Sequence, residues 1–217
     1  FDDALSYWDQ LLNEFPEDAI AFSNRGIIRF SLGDTDGAIE DQTKAIELLP
    51  KELDPHLNRG IAEEFLQCWE DAEKDYDWVL SKDPGNSSAL YNLGTVKGAQ
   101  GNWSQAKVLF TKASLSRPDF VMASSSKALV HYQLGELDLA ESEFRKIIRK
   151  YPMIADARAG LTALLWRKGL FGEAESNWAA AVGLDSRYQG MEWLLNVRRW
   201  PPLPMKDLSA FLDLERP

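Results

Sequence analysis

The chain has 217 residues, 45% hydrophobic and 27% charged, which is enough apolar material for a sizeable core and too much for a disordered chain. Its 34 acidic and 24 basic side chains leave a net charge of −10, a field that repels phosphate backbones and argues against nucleic acid as a partner. The single cysteine, Cys68, excludes an internal disulfide framework, and no apolar run approaches the roughly 20 residues of a membrane span.

Prolines stand at Pro16, Pro50, Pro84, Pro118 and Pro152, a spacing of 34 residues held four times. Such a period marks supersecondary units stacked on their neighbours. Twelve residues before each proline is an alanine (Ala4, Ala38, Ala72, Ala106, Ala140), and Ala174 continues the series. Four residues after each alanine come Trp8, Gln42, Tyr76, Phe110, Phe144 and Trp178. A small residue followed one helical turn later by a ring is what two close-packed helices need. Read in chain order, residues 1–18 are the second half of a first unit, and full units follow at 19–52, 53–86, 87–120, 121–154 and 155–188, with Ser186 in place of the last proline. Gly26, Gly60 and Gly94 sit near the middle of the first helix of their units, where a small side chain permits contact. Gly33, Gly101, Gly135 and Gly169 mark the turns inside the units, suited to a left-handed helix end, and Gln67 takes that place in the third. Residues 189–217 break the period. Met191, Trp193, Leu194 and Val197 are expected on one face of a capping helix, Pro201, Pro202 and Pro204 are expected to force an extended stretch, and a short helix is expected from about Lys206 to Leu214. The chain opens at Phe1 in the middle of a unit, so upstream sequence is expected, and any targeting or anchoring element would sit there.

These residues resemble the tetratricopeptide repeat over nearly the whole chain. The resemblance implies an all-α fold, a right-handed α-solenoid of tandem helix-turn-helix units with a C-terminal capping helix. It also implies a protein-interaction module whose concave groove is walled by the first helix of each pair. The groove sites it designates include Ile27, Phe30, Leu57, Ile61, Phe65, Tyr91, Leu129, Tyr132 and Trp166, together with Ser125, Asp156, Gln133 and Arg167. A solvated groove that collects so many apolar side chains is expected to dock a hydrophobic or amphipathic segment, because each large side chain gains roughly 1.5 to 3 kcal/mol on full burial. The alternative is that these residues pack on neighbouring helices or on the chain's own tail. Asn24, Asn58 and Asn92 keep the same interval and resemble the asparagine ladder that holds an extended peptide backbone, although a purely local role is equally open. The cations with which some family members clamp a chaperone's C-terminal carboxylate are missing: Ser23, Ile27 and Ser88 stand at those sites beside Asn58 and Asn92.

No catalytic constellation, metal-ligand spacing or phosphate loop is visible, so neither enzymatic activity nor a cofactor or metal is expected. His56, His131 and Cys68 read as structural, and Trp8, Trp69, Trp103 and Trp178 as core. Glu192, Trp193 and Leu194 through Arg198, Arg199, Trp200, Pro201 and Pro202 are similar to the ends of certain cyanobacterial and chloroplast repeat proteins. That similarity implies a chloroplast location, stromal or thylakoid-associated, and assembly of photosynthetic membrane complexes; without it the expectation is cytoplasmic. Two other readings stand beside the groove: an architectural scaffold that uses its convex face or ends, and a self-occluded array in which residues 201–217 fold back into the groove.

Overall fold

The computed structural model describes residues 2–215, and their regular structure is entirely helical. The elements are α1 (Asp2–Glu14), α2 (Ala19–Ser31), α3 (Thr35–Leu48), α4 (Leu53–Phe65), α5 (Trp69–Lys82), α6 (Ser87–Ala99), α7 (Trp103–Ser116), α8 (Val121–Gln133), α9 (Leu137–Lys150), α10 (Ala155–Arg167) and α11 (Phe171–Leu184). A 3₁₀ turn (Ser186–Gln189), α12 (Met191–Asn196) and α13 (Pro202–Glu215) complete them. The helices gather into two compact bodies, one up to Val96 and one from Lys97 onward.

Each helix pair is made by the same local chemistry. Gly33, Gly101, Gly135 and Gly169 all have positive φ, between 75° and 90°, and Gln67 takes φ 62° where glycine is missing. The residue after each donates its backbone N–H to a carbonyl five residues back, as in Asp34 to Arg29 and Leu170 to Leu165 (both 2.9 Å), which closes the first helix and turns the chain into the second. Asp34 then caps α3 through its carboxylate, which accepts the Gly37 N–H at 3.0 Å.

Inside the pairs, alanine and ring interlock as their spacing requires. Ala72, Tyr76, Ala140, Phe144 and Ala174 are fully buried. A Cβ on Gly60 would lie 2.7 Å from the Tyr76 ring, so the close approach of α4 and α5 depends on the absent side chain. Gln42, the one polar occupant of the ring site, is also buried, and its amide is matched on both sides: it donates to the Ser23 carbonyl (2.8 Å) and accepts from the Ser23 hydroxyl (2.9 Å).

A polar bridge repeats at the same interval. Arg25 joins Asp9 on the preceding helix to buried Asp41, and 34 residues on Arg59 joins Thr43 to buried Asp75. Lys127 and Glu143 form the corresponding pair in the second body, at 2.6 Å. His56 is structural: its ring stacks on Trp78, with centroids 3.8 Å apart, and Nδ1 lies 2.7 Å from Asp75.

Two expectations about the C-terminus are corrected. Pro202 and Pro204 start α13 instead of holding the chain extended, because the first turn of a helix needs no N–H partner and proline's φ is preset for it. Val197 lies beyond α12 and is 61% exposed, while Leu194 and Trp200 supply the apolar contact.

Candidate functional site: the faces of the first helices

In the first body, α2 and α4 flank an open cleft of about 490 Å³ lined by Ile20, Ser23, Asn24, Ile27, Asp54 and Asn58, among others. Ile20 is 66% exposed and Ile27 42%. At the other end of the same two helices Phe30 and Phe65 meet edge to face, with centroids 5.6 Å apart, and Phe65 remains 62% exposed. Leu57 and Ile61 are half-buried between them. Asn24 and Asn58 face the cleft, and their side chains hold no hydrogen bond among the described residues. The lining includes Glu52 and Asp54 and no lysine or arginine. Tyr91 and Asn92 lie half-buried on α6.

The second body carries the same groove sites on α8 and α10, and there they are covered. Ser125, Leu129, Tyr132, Asp156, Ala159 and Ala163 are all buried, at most 2% exposed. The cover is the chain's own C-terminal segment. Asp156 Oδ1 accepts from the Tyr188 hydroxyl (2.9 Å), the Arg198 guanidinium (2.9 and 3.0 Å) and the Trp200 indole (3.1 Å), while Oδ2 accepts from the Ser125 hydroxyl. Burial alone would keep this carboxyl protonated, but Arg198 and the three neutral donors outweigh it and its pKa lies below the ordinary value. Further along, Leu203 N–H donates to Gln133 Oε1 at 2.7 Å, and Asp207 accepts from the Tyr132 hydroxyl (2.7 Å) and from Arg167 (3.0 Å). Burial and the Asp207 carboxylate together push the Tyr132 phenol upward. Phe211 then fills the space between Trp166 and Trp178, 5.4 and 5.7 Å from their centroids.

The designated groove residues therefore divide. Ile27, Phe30, Leu57, Ile61 and Phe65, with Asn24 and Asn58, line an open face. Leu129, Tyr132 and Trp166 are the seat of α13, so they offer nothing to a partner while α13 is in place. Leu208 and Phe211 are fully buried in that seat, which makes α13 a part of the core. The interval in Arg25 and Arg59, and in Asp41 and Asp75, was a readable signal for the polar bridge. The Asp156 network left none, since its donors lie 31 to 44 residues away. Glu63 and Glu143 each keep one buried carboxylate oxygen without a partner, and the described residues contain no cluster able to hold a metal ion.

The tetratricopeptide repeat family profile matches residues 1–52, 91–153 and 127–188, well over half of the chain, and the chain belongs to that family. The mitochondrial import receptor subunit TOM70 of Saccharomyces cerevisiae is 27% identical over 177 residues, which is 80% of this chain but 28% of the receptor. Among solved structures, pilF of Pseudomonas aeruginosa is 20% identical with a TM-score of 0.71, covering 91% of this chain and 90% of its own. YrrB, described as a TPR protein with an unusual peptide-binding site, is 20% identical with a TM-score of 0.63 over 84% of this chain and 94% of its own. These two likenesses show the fold.

Proposed function

We propose that this protein is a protein-binding module that captures a hydrophobic or amphipathic segment of a partner on the α2–α4 face of the first body. The observation that carries the reading is the exposure of Ile20, Ile27 and Phe65 on one face, whereas on the matching face of the second body Ser125, Leu129, Tyr132 and Asp156 are buried. Full burial of a fully exposed large side chain gains roughly 1.5 to 3 kcal/mol, and these three, already part-buried, would each gain a fraction of that and together offset some of the entropy of association. The family supports this reading, as do relatives whose names describe a receptor and a peptide-binding site. The absence of lysine and arginine from the cleft lining disfavours a carboxylate clamp. The finer reading, an assembly factor for photosynthetic membrane complexes in the chloroplast, rests on the similarity of residues 192–202 and is tested by fractionating the source cells.

The direct test compares partners captured from an extract of the source organism by the wild-type chain, by Phe30→Glu/Phe65→Glu, and by Leu139→Glu on an exposed site of α9. A partner lost only with the phenylalanine pair supports the α2–α4 face. Identical profiles for all three overturn it and move function to the helix ends or the outer faces.

A further inference from the structure

The second body holds, on its own groove sites, a bound segment whose counterpart site in the first body is open. Three repeat intervals separate α8 and α10 from α2 and α4, and several sites keep their chemistry across that offset: Ser125 and Ser23, Leu129 and Ile27, Tyr132 and Phe30, Asp156 and Asp54. Asp156 receives a guanidinium from Arg198. Asp54 is exposed, lines the cleft, and has no hydrogen bond or ion pair among the described residues.

Two differences between the sites shape the ligand. Ser23 turns to Gln42, so Asp54 lacks the hydroxyl that Ser125 supplies to Asp156. Tyr132 and Arg167, which hold Asp207, are replaced at the offset by Phe30 and Phe65, so a carboxylate at the Asp207 position would lose both partners and an apolar side chain would gain two ring contacts. Charge points the same way: up to Val96 the chain carries 21 acidic and 7 basic side chains, against 13 and 17 from Lys97 onward.

Resting on the reading that the α2–α4 face is the docking site, we infer that its occupant is a basic segment of a partner protein that gives an arginine to Asp54 and an apolar helical turn to Ile27, Phe30 and Phe65. The segment copies what Arg198 and the chain after it do in the second body. A second copy of this chain is a poor occupant, because its own segment is locked in place by Trp200, Leu208 and Phe211, each no more than 2% exposed.

The probe is a fluorescein-labelled synthetic peptide with the sequence of residues 197–213 and Asp207→Leu, titrated into the full chain and followed by anisotropy. Binding should weaken about tenfold or more when the chain carries Asp54→Lys or the peptide carries Arg198→Glu, and should recover at least in part when the two reversed partners are combined. Asp54 is exposed, so Asp54→Lys leaves the fold intact, which circular dichroism verifies. Peptide binding that is abolished by Phe30→Glu/Phe65→Glu yet indifferent to Asp54→Lys overturns the arginine inference and leaves the cleft reading standing. Indifference to both sets of variants overturns both. No binding to the wild-type chain overturns the inference alone, since partner capture judges the cleft separately. A dimer in sedimentation that Asp54→Lys dissolves would make the occupant a second copy and overturn the partner assignment.

Discussion

The α2–α4 face and the α8–α10 face descend from one repeat pattern, and they have opposite fates. On α8 and α10 the groove sites are built into a core: a carboxylate with four donors, a tyrosine hydroxyl held by Asp207, and a phenylalanine between two tryptophans. On α2 and α4 the matching positions hold isoleucine and phenylalanine in water with an unpaired aspartate beside them. The difference teaches that a repeat site is a position and not a function. Whether it binds outward or folds inward depends on what else the chain can lay across it.

The largest effects should therefore fall on the covered face. Asp156→Ala removes the buried carboxylate on which Arg198, Tyr188, Trp200 and Ser125 converge and should cost about 3–5 kcal/mol in urea unfolding. Asp54→Ala, its counterpart, should stay within about 0.5 kcal/mol. Equal costs at the two aspartates would mean that the first-body face is also filled. Phe211→Ala should likewise cost about 3–5 kcal/mol by opening a cavity between Trp166 and Trp178. Phe65→Ala, at 62% exposure, should cost under about 1 kcal/mol and show its effect in partner capture instead.

Deleting residues 201–217 separates a displaceable plug from an integral cap. A plug would leave stability unchanged and uncover Leu129 and Tyr132 for binding. The burial of Leu208 and Phe211 predicts the other outcome, in which the second body unfolds at lower urea while the first keeps its transition.

Much of this was legible in the residues. The turn glycines and Gln67 announce a left-handed backbone, a local demand that any solenoid context leaves intact, and the alanine–ring spacing announces the core between paired helices. The groove sites were legible as positions, yet not as open or closed, because closure depends on Trp200 and Asp207 meeting helices far back in the chain. Asp156 reads from the repeat pattern as a groove-facing site and is instead a buried hub. The prolines misled for a related reason: the residue that stops one helix is also well suited to begin the next, and only the contacts of Leu203 and Leu208 decide between the two.

Smaller effects sharpen the account of the turns inside the helix pairs. Gln67 occupies a left-handed conformation that costs a non-glycine residue roughly 1–2 kcal/mol, so Gln67→Gly should stabilise the chain by about 1 kcal/mol, and Gly101→Ala should destabilise it by a similar amount. Thermal melts of the two variants should move in opposite directions.

The smallest effect concerns Glu63, which faces Arg59 and Asp75, with Asp71 and Lys74 nearby and His56 on the far side of Asp75. Burial, reinforced by the Asp75 carboxylate, pushes the Glu63 carboxyl up to about 7 from an ordinary 4.5. A raised carboxyl pKa means that the folded chain binds this proton more tightly than the unfolded chain does. Ionised Glu63 therefore lowers stability above pH 7, and the penalty fades as pH falls from 7 towards 4.5, where both states become protonated. Glu63→Gln carries no charge at any pH and mimics the protonated form. It should gain under about 1 kcal/mol above pH 7, since the Arg59 attraction at 3.9 Å is lost with the charge, and should match the wild type near pH 4.5. A gain that is flat with pH would mean that Glu63 stays ionised throughout. In that case the Arg59–Asp75 bridge would be holding a second carboxylate at full charge, and the first body would tolerate more buried negative charge than its cleft is assigned.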